Sequence, residues 1–125
     1  FLSETSACQW NEQFETEVGS IVQVGVTCHD DGAIRELFFP KNNLQGEFPS
    51  SIGFLDELVA LNLFDNEITG VLPEKLSNLK KLESLVVHNN LLKGPIPVWI
   101  GQLKALRTLN LSDNNFSNSL PLTAA

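Results

Sequence analysis

From Leu37 to Pro121 the same residue types return every twenty-four positions. Leu37, Leu61, Leu85 and Leu109 occupy one column, Phe39, Leu63, Val87 and Leu111 a second, and Asn42, Asn66, Asn90 and Asn114 a third. Leu44, Ile68, Leu92 and Phe116 make a fourth, and Gly46, Gly70 and Gly94 a fifth that Asn118 interrupts. Pro49, Pro73, Pro97 and Pro121 make a sixth. A fixed period of this length is the signature of a solenoid, whose units are each too small to bury an apolar face alone and therefore stack on their neighbours.

Two shorter periods lie inside each unit. Around Leu61-Asn62-Leu63 apolar and polar residues alternate, which predicts a short strand with one buried face, and its equivalents centre on Phe38, Val86 and Asn110. Stacked units then give a parallel sheet whose outward residues form columns. After the strand comes the asparagine, whose side chain offers both an acceptor and a donor to backbone groups stranded inside the coil. Gly-x-(Leu/Ile/Phe)-Pro follows as a bend and an extended piece, because Pro fixes its own φ and restricts the residue before it. Leu76, Leu79 and Leu82, with Ile52, Leu55, Leu58 and Ile100, Leu103, Leu106, recur at spacing three, which predicts a 3₁₀ or short α segment on the outer side. Asp56 is a candidate cap for that segment, and Lys75, Lys80, Lys81 and Lys104 fall on its solvent side.

Charge divides the chain in two. The net charge is −7, yet residues 1–33 hold Glu4, Glu12, Glu15, Glu17, Asp30 and Asp31 with no Lys or Arg, whereas residues 34–125 hold nine acids against eight bases. A nucleic-acid binder needs a basic stripe, and an anionic lipid surface attracts basic residues, so neither is an expected partner. No apolar run reaches the roughly 20 residues of a membrane span, and direct membrane insertion is not expected. The chain opens Phe1-Leu2-Ser3 without a methionine, which predicts a preceding segment.

The string Leu-x-x-Leu-x-x-Leu-x-Leu-x-x-Asn-x-Leu-x-Gly-x-Ile-Pro at Leu79 to Pro97, with Val87 in one Leu slot, resembles the plant-type leucine-rich repeat, and the resemblance covers residues 34–121. It implies an α/β solenoid, a right-handed coil with a parallel β-sheet on the concave face and short 3₁₀ or α segments on the convex side. Cys8-Gln9-Trp10 and the later Gly25-Val26-Thr27-Cys28 resemble the cap that opens such arrays, with residues 11–23 as an insertion. Phe14, Val18, Ile21 and Val22 in that insertion have helical spacing, weakened by Gly19, while Ile21 to Val26 reads equally as strand. The expected organisation is an acidic, disulfide-bonded cap over residues 1–33 and four repeats over residues 34–125, uncapped at the C-terminal end.

The family cap carries a bonded cysteine pair, so the resemblance implies a Cys8–Cys28 disulfide and an oxidising compartment, extracellular or lumenal. Closing a loop of that size contributes on the order of 3 kcal/mol. The alternative is two free buried thiols, and the pair with His29 and Asp30 lacks the ligand spacing of a zinc site. Asn110-Leu111-Ser112 and Asn115-Phe116-Ser117 are N-glycosylation sequons, which makes Asn110 and Asn115 candidate acceptors.

The sequence holds no Gly-rich phosphate loop, no His-Glu-x-x-His, no Gly-x-Ser-x-Gly and no Cys nucleophile with a His base, so neither catalysis nor a cofactor is expected. His88, near Asp65 and Asp113 in the repeat mapping, reads as a solvated surface histidine rather than a general base. The informative surface is the strand face, with the columns Phe38, Asn62, Val86, Asn110, then Pro40, Phe64, His88, Ser112, then Lys41, Asp65, Asn89, Asp113. The scaffold does not require Phe38, Phe64 and Val86 to be large and apolar. They mark either a partner-binding patch, with Phe38, Asn62, Phe64, Val86, His88 and Asn110 as its residues, or a seat for the cap insertion.

A non-enzymatic module that binds a protein or peptide through the concave face is therefore the leading expectation. Plant-type arrays also form receptor ectodomains, co-receptors and secreted enzyme inhibitors. The second expectation is an accessory subunit packed through its uncovered end, where Leu109, Leu111, Phe116 and Leu120 lack a following coil. The third is ice binding, for which the alternation of Asn62 and Asn110 with Phe38 and Val86 breaks the regular polar lattice.

Overall fold

The structure is a computed structural model that describes residues 11–15 and 21–117. Strand β1 (Asn11–Glu15) and strand β2 (Ile21–Cys28) form an antiparallel hairpin. Then come β3 (Ile34–Phe38), β5 (Ala60–Asn62), β7 (Ser84–Val86) and β9 (Thr108–Asn110), one in each coil. The six build one sheet in the order β1-β2-β3-β5-β7-β9, antiparallel through the hairpin and parallel from β3 onward. Its parallel register follows the repeat: Leu37 pairs with Leu61, Leu61 with Leu85, and Leu85 with Leu109. Beyond each asparagine a second short strand forms, β4 (Gln45–Glu47), β6 (Glu67–Thr69), β8 (Lys93–Gly94) and β10 (Asn115–Phe116), which pair as β4 with β6 and β8 with β10.

The spacing of three becomes 3₁₀ helix at Ser50–Phe54, Glu74–Asn78 and Val98–Gln102. Each opens after a proline in extended conformation, Pro49, Pro73 and Pro97, with no side-chain cap. Proline suits that place because the first N–H of a helix lacks a partner in any case. Asp56 follows the first of these helices instead of opening it. The leucines of the outer segment turn inward and meet those of the strands: Leu58, Leu61, Leu76, Leu79, Leu82, Leu85, Val87 and Leu92 are fully buried in one continuous core. Val26 and Ile34 join the same core, which fastens the hairpin to the first coil.

The insertion does not adopt the helix that the spacing of Phe14, Ile21 and Val22 allows, since β1 and β2 cover those positions, while Val18 lies outside the described residues. A strand wins because the first repeat strand has an open edge: β2 places Val26 opposite Leu37 and gives the backbone of β3 a partner. A bulge between Thr27 and Cys28 shifts that pairing before it ends at Cys28 and Ile34, and the turn His29–Ala33 closes with the Ala33 carbonyl accepting the His29 N–H at 2.9 Å.

Candidate functional site

The concave face is positioned by the asparagine column behind it. The side chain of Asn66 accepts the N–H groups of Asn42 at 2.9 Å and Leu44 at 3.0 Å in the preceding coil, and its amide donates to the carbonyls of Phe39, Leu63 and Phe64. Asn90 repeats the arrangement one coil on, accepting from Ile68 and donating to Leu63, Val87 and His88. Asn114 accepts from Leu92 and donates to Val87, Leu111 and Ser112. Asn42 departs from the expectation: it supplies a backbone N–H to Asn66, and its own side chain bonds no carbonyl among the described residues. The physical reason is that the neighbour on that side is the antiparallel hairpin, which presents no repeat turn to pair.

A second column controls the corner between strand and asparagine. Lys41, Asp65, Asn89 and Asp113 all take left-handed backbone conformations, with φ of 51°, 59°, 56° and 54°. Asn and Asp tolerate that region better than other side chains, which suits three of the four positions. Their side chains interact along the column: Asn89 Nδ2 donates to Asp65 Oδ1 at 2.7 Å, and Lys41 Nζ lies 4.0 Å from Asp65 Oδ2.

Above this frame Phe38, Phe64 and His88 lie on one face, each partly exposed. Phe38 meets Phe64 edge to face, with ring centroids 6.2 Å apart and planes at 74°. Phe64 and His88 stack nearly parallel at 4.8 Å and 6°. His88 is thus only partly solvated, packed against a neighbouring ring rather than standing free at the surface. Its Nδ1 is enclosed and has no hydrogen-bond partner among the described residues, where Asp65 is engaged with Asn89 and Lys41 and not with the ring. Phe64 packs on His88 because their positions are a whole repeat apart, each two residues beyond one of the paired strands β5 and β7. Asn62, Val86 and Asn110 stand partly exposed in the neighbouring column. The described part of the cap insertion extends the sheet sideways as β1 and β2, with Gly25 opposite Phe38.

The remaining expected sites fall as follows. Cys28 is disulfide-bonded, and Cys8 lies outside the described residues. Asn110 sits in β9, where its side-chain oxygen accepts the Ser112 hydroxyl at 2.7 Å, and Asn115 is exposed in β10. Leu109, Leu111 and Phe116 are partly exposed where Leu61 and Leu85 are fully buried, and Leu120 lies outside the described residues. Among the described residues no cluster of His, Cys, Asp and Glu could hold a metal ion, and no helix is long and apolar enough to cross a membrane.

Two contacts carry little sequence signal. His29 donates from Nε2 to the Glu57 carbonyl at 2.8 Å, which ties the cap turn to the second coil. The Lys81 ammonium meets the Glu57 carboxylate at 2.6 Å. That hydrogen bond, and next the attraction of the Glu57 charge, hold the Lys81 pKa above the ordinary lysine value. Both contacts span whole coils on the side of the array, away from the aromatic rings.

With this geometry the chain matches known proteins. The family model for leucine rich repeat covers residues 56–116. Among curated proteins no sequence relative matches. Among solved structures, the ectodomain of BIR2 from Arabidopsis thaliana is 33% identical, over 81% of this chain and 54% of that one, with a TM-score of 0.76. The Arabidopsis receptor kinase HAESA, solved with the peptide hormone IDA and the co-receptor SERK1, is 29% identical over 94% of this chain and 18% of that one, also at 0.76. A plant ice-binding protein is 30% identical over 92% of this chain and 34% of that one, at 0.71. This chain therefore spans about half the length of the first of these, and less of the others. By its repeat and its coil geometry the chain is a leucine-rich-repeat solenoid, and its likenesses are to plant proteins of that type.

Proposed function

We propose that the chain is a non-enzymatic recognition module of an extracellular leucine-rich-repeat protein, which binds a protein or peptide through its concave face. The observation that carries the reading is the aromatic row of Phe38, Phe64 and His88, partly exposed on a sheet that the fold does not otherwise need to line with rings. Clustered aromatic side chains on a rigid surface are the usual anchors of protein interfaces. The similarity to HAESA, solved with a peptide hormone and a co-receptor, supports a peptide or protein partner, and the disulfide-bonded state of Cys28 supports an oxidising compartment. Cys8 is the partner we assign to Cys28, and the sequon asparagines Asn110 and Asn115 are candidate glycan acceptors in that compartment.

The test is capture of a partner from extracellular fluid by the immobilised protein, alongside a variant with Phe38→Ala and Phe64→Ala. A partner retained by the wild type and lost by the double variant supports the reading. Equal capture by both removes the concave face from the interaction.

The likeness to an ice-binding protein favours one further reading, that the face orders water. Phe38 and Val86 alternate with Asn62 and Asn110 in the same column, so the lattice of amides is broken, and thermal hysteresis at the level of buffer would dismiss it. Association through Leu109, Leu111 and Phe116 is the alternative to a free module, and sedimentation of the purified chain reports it directly.

A further inference from the structure

The aromatic row has a direction. Phe38 lies against Phe64 and Phe64 against His88, so that one face of the imidazole is covered by a ring. In the same column the next coil carries Ser112, an exposed residue whose hydroxyl is turned aside to the Asn110 side-chain oxygen at 2.7 Å. His88 is partly exposed although its Nδ1 is enclosed, and by the column order its second face lies toward the small Ser112, one strand spacing of about 4.8 Å on.

The adjoining column ends in the same place with a charge. Lys41 and Asn89 both serve the Asp65 carboxylate, whereas Asp113, next in sequence to Ser112, is exposed and has no hydrogen bond or ion pair among the described residues. At the β9 side of the face a planar aromatic surface thus stands beside an unpaired carboxylate.

Resting on the recognition reading above, we propose that this position takes an arginine side chain of a basic peptide segment, its guanidinium stacked on the outer face of His88 over Ser112 and paired with Asp113. A guanidinium uses both features, because it is planar, stacks on aromatic faces and pairs with carboxylates. An aromatic side chain would leave the carboxylate unpaired, and an ammonium would pair without stacking as a plane. The acidic excess of the chain lies in residues 1–33, so at this end of the array the attraction for a cation rests on the Asp113 carboxylate itself.

The test is a titration of the isotope-labelled full chain with acetyl-Gly-Arg-Gly-amide, its lysine counterpart and its citrulline counterpart, which keeps the plane and removes the charge. The arginine peptide shifts the resonances of Ser112, Asp113 and the His88 ring saturably. Its dissociation constant is lower than that of the lysine or citrulline peptide by about fivefold, which corresponds to a contribution near 1 kcal/mol. Ser112→Phe, which supplies the chain's own ring over His88, abolishes the shifts, and Asp113→Asn, a change on an exposed side chain, weakens binding by about threefold or more. Equal affinities for the three peptides, or shifts that persist in Ser112→Phe and are unchanged in Asp113→Asn, overturn the site. That failure is separate from failure of the concave-face reading, which the Phe38 and Phe64 alanine variant reports through partner capture.

Discussion

The side-chain oxygen of Asn66 accepts two backbone N–H groups of the coil before it, from Asn42 and Leu44, while its amide holds three carbonyls. One buried side chain thereby pairs backbone groups of two coils, most of them at least partly buried. Asn66→Ala leaves them unpaired, at about 1–3 kcal/mol for each group that stays dry. Asn62→Ala, on the outward side of the strand four residues earlier, changes stability by less than about 0.5 kcal/mol. Urea unfolding of the two variants checks the difference, and equal losses would invert the assignment of inside and outside.

Leu85 is fully buried between coils that carry Leu61 and Leu109, whereas Leu109 is itself partly exposed. Leu85→Ala is expected to cost about 2–5 kcal/mol through lost transfer energy and the cavity it leaves. Leu109→Ala costs distinctly less. The same unfolding measurement in both variants tests how far burial falls toward β9.

Gly53 lies where two 3₁₀ helices approach. A Cβ at that position would stand 2.8 Å from the Lys75 carbonyl oxygen and 2.9 Å from the Lys75 Cβ. Since a backbone atom cannot swing away, Gly53→Ala forces the helices at Ser50–Phe54 and Glu74–Asn78 apart, at about 1–3 kcal/mol. A melting temperature unchanged from wild type would contradict this close approach.

The ion pair of Lys81 with Glu57 makes its contribution at neutral pH and loses it in alkali. Because the folded-state pKa of Lys81 is raised, the stabilisation is complete below the ordinary lysine pKa and disappears as pH climbs through the folded value. The chain has no tyrosine, so no phenol titrates in that window. The small stability gap between wild type and Lys81→Met, measured by chemical denaturation, narrows to nothing between neutral and strongly alkaline pH. A constant gap would mean that the lysine stem, and not its charge, is what matters.

Most of the coil was legible because it is periodic. Period two marked the strands, spacing three marked the 3₁₀ helices, and the repeat itself set the register in which Leu61 meets Leu85. The hairpin was not, since Phe14, Val18, Ile21 and Val22 fit a helical spacing while Ile21 to Val26 fits a strand, and the choice was made by the open edge of β3, a tertiary demand with no local trace. Phe64 and His88 could be placed in one column from sequence, but the parallel stack and the enclosed Nδ1 depend on side-chain rotation, which spacing does not encode. Asn42 shared the column of Asn66 without sharing its work, because the bonding needs a preceding coil of the same kind.

The left-handed corner at Lys41, Asp65, Asn89 and Asp113 makes the molecule intolerant of small changes in length. Each level turns with nearly the same left-handed φ at the same place, so a single inserted residue between a strand and its corner would shift every later side chain off its row. Only whole coils can be gained or lost without scrambling the wall, and a lineage of such chains would therefore lengthen by duplication in steps of one turn, carrying its outward pattern along intact.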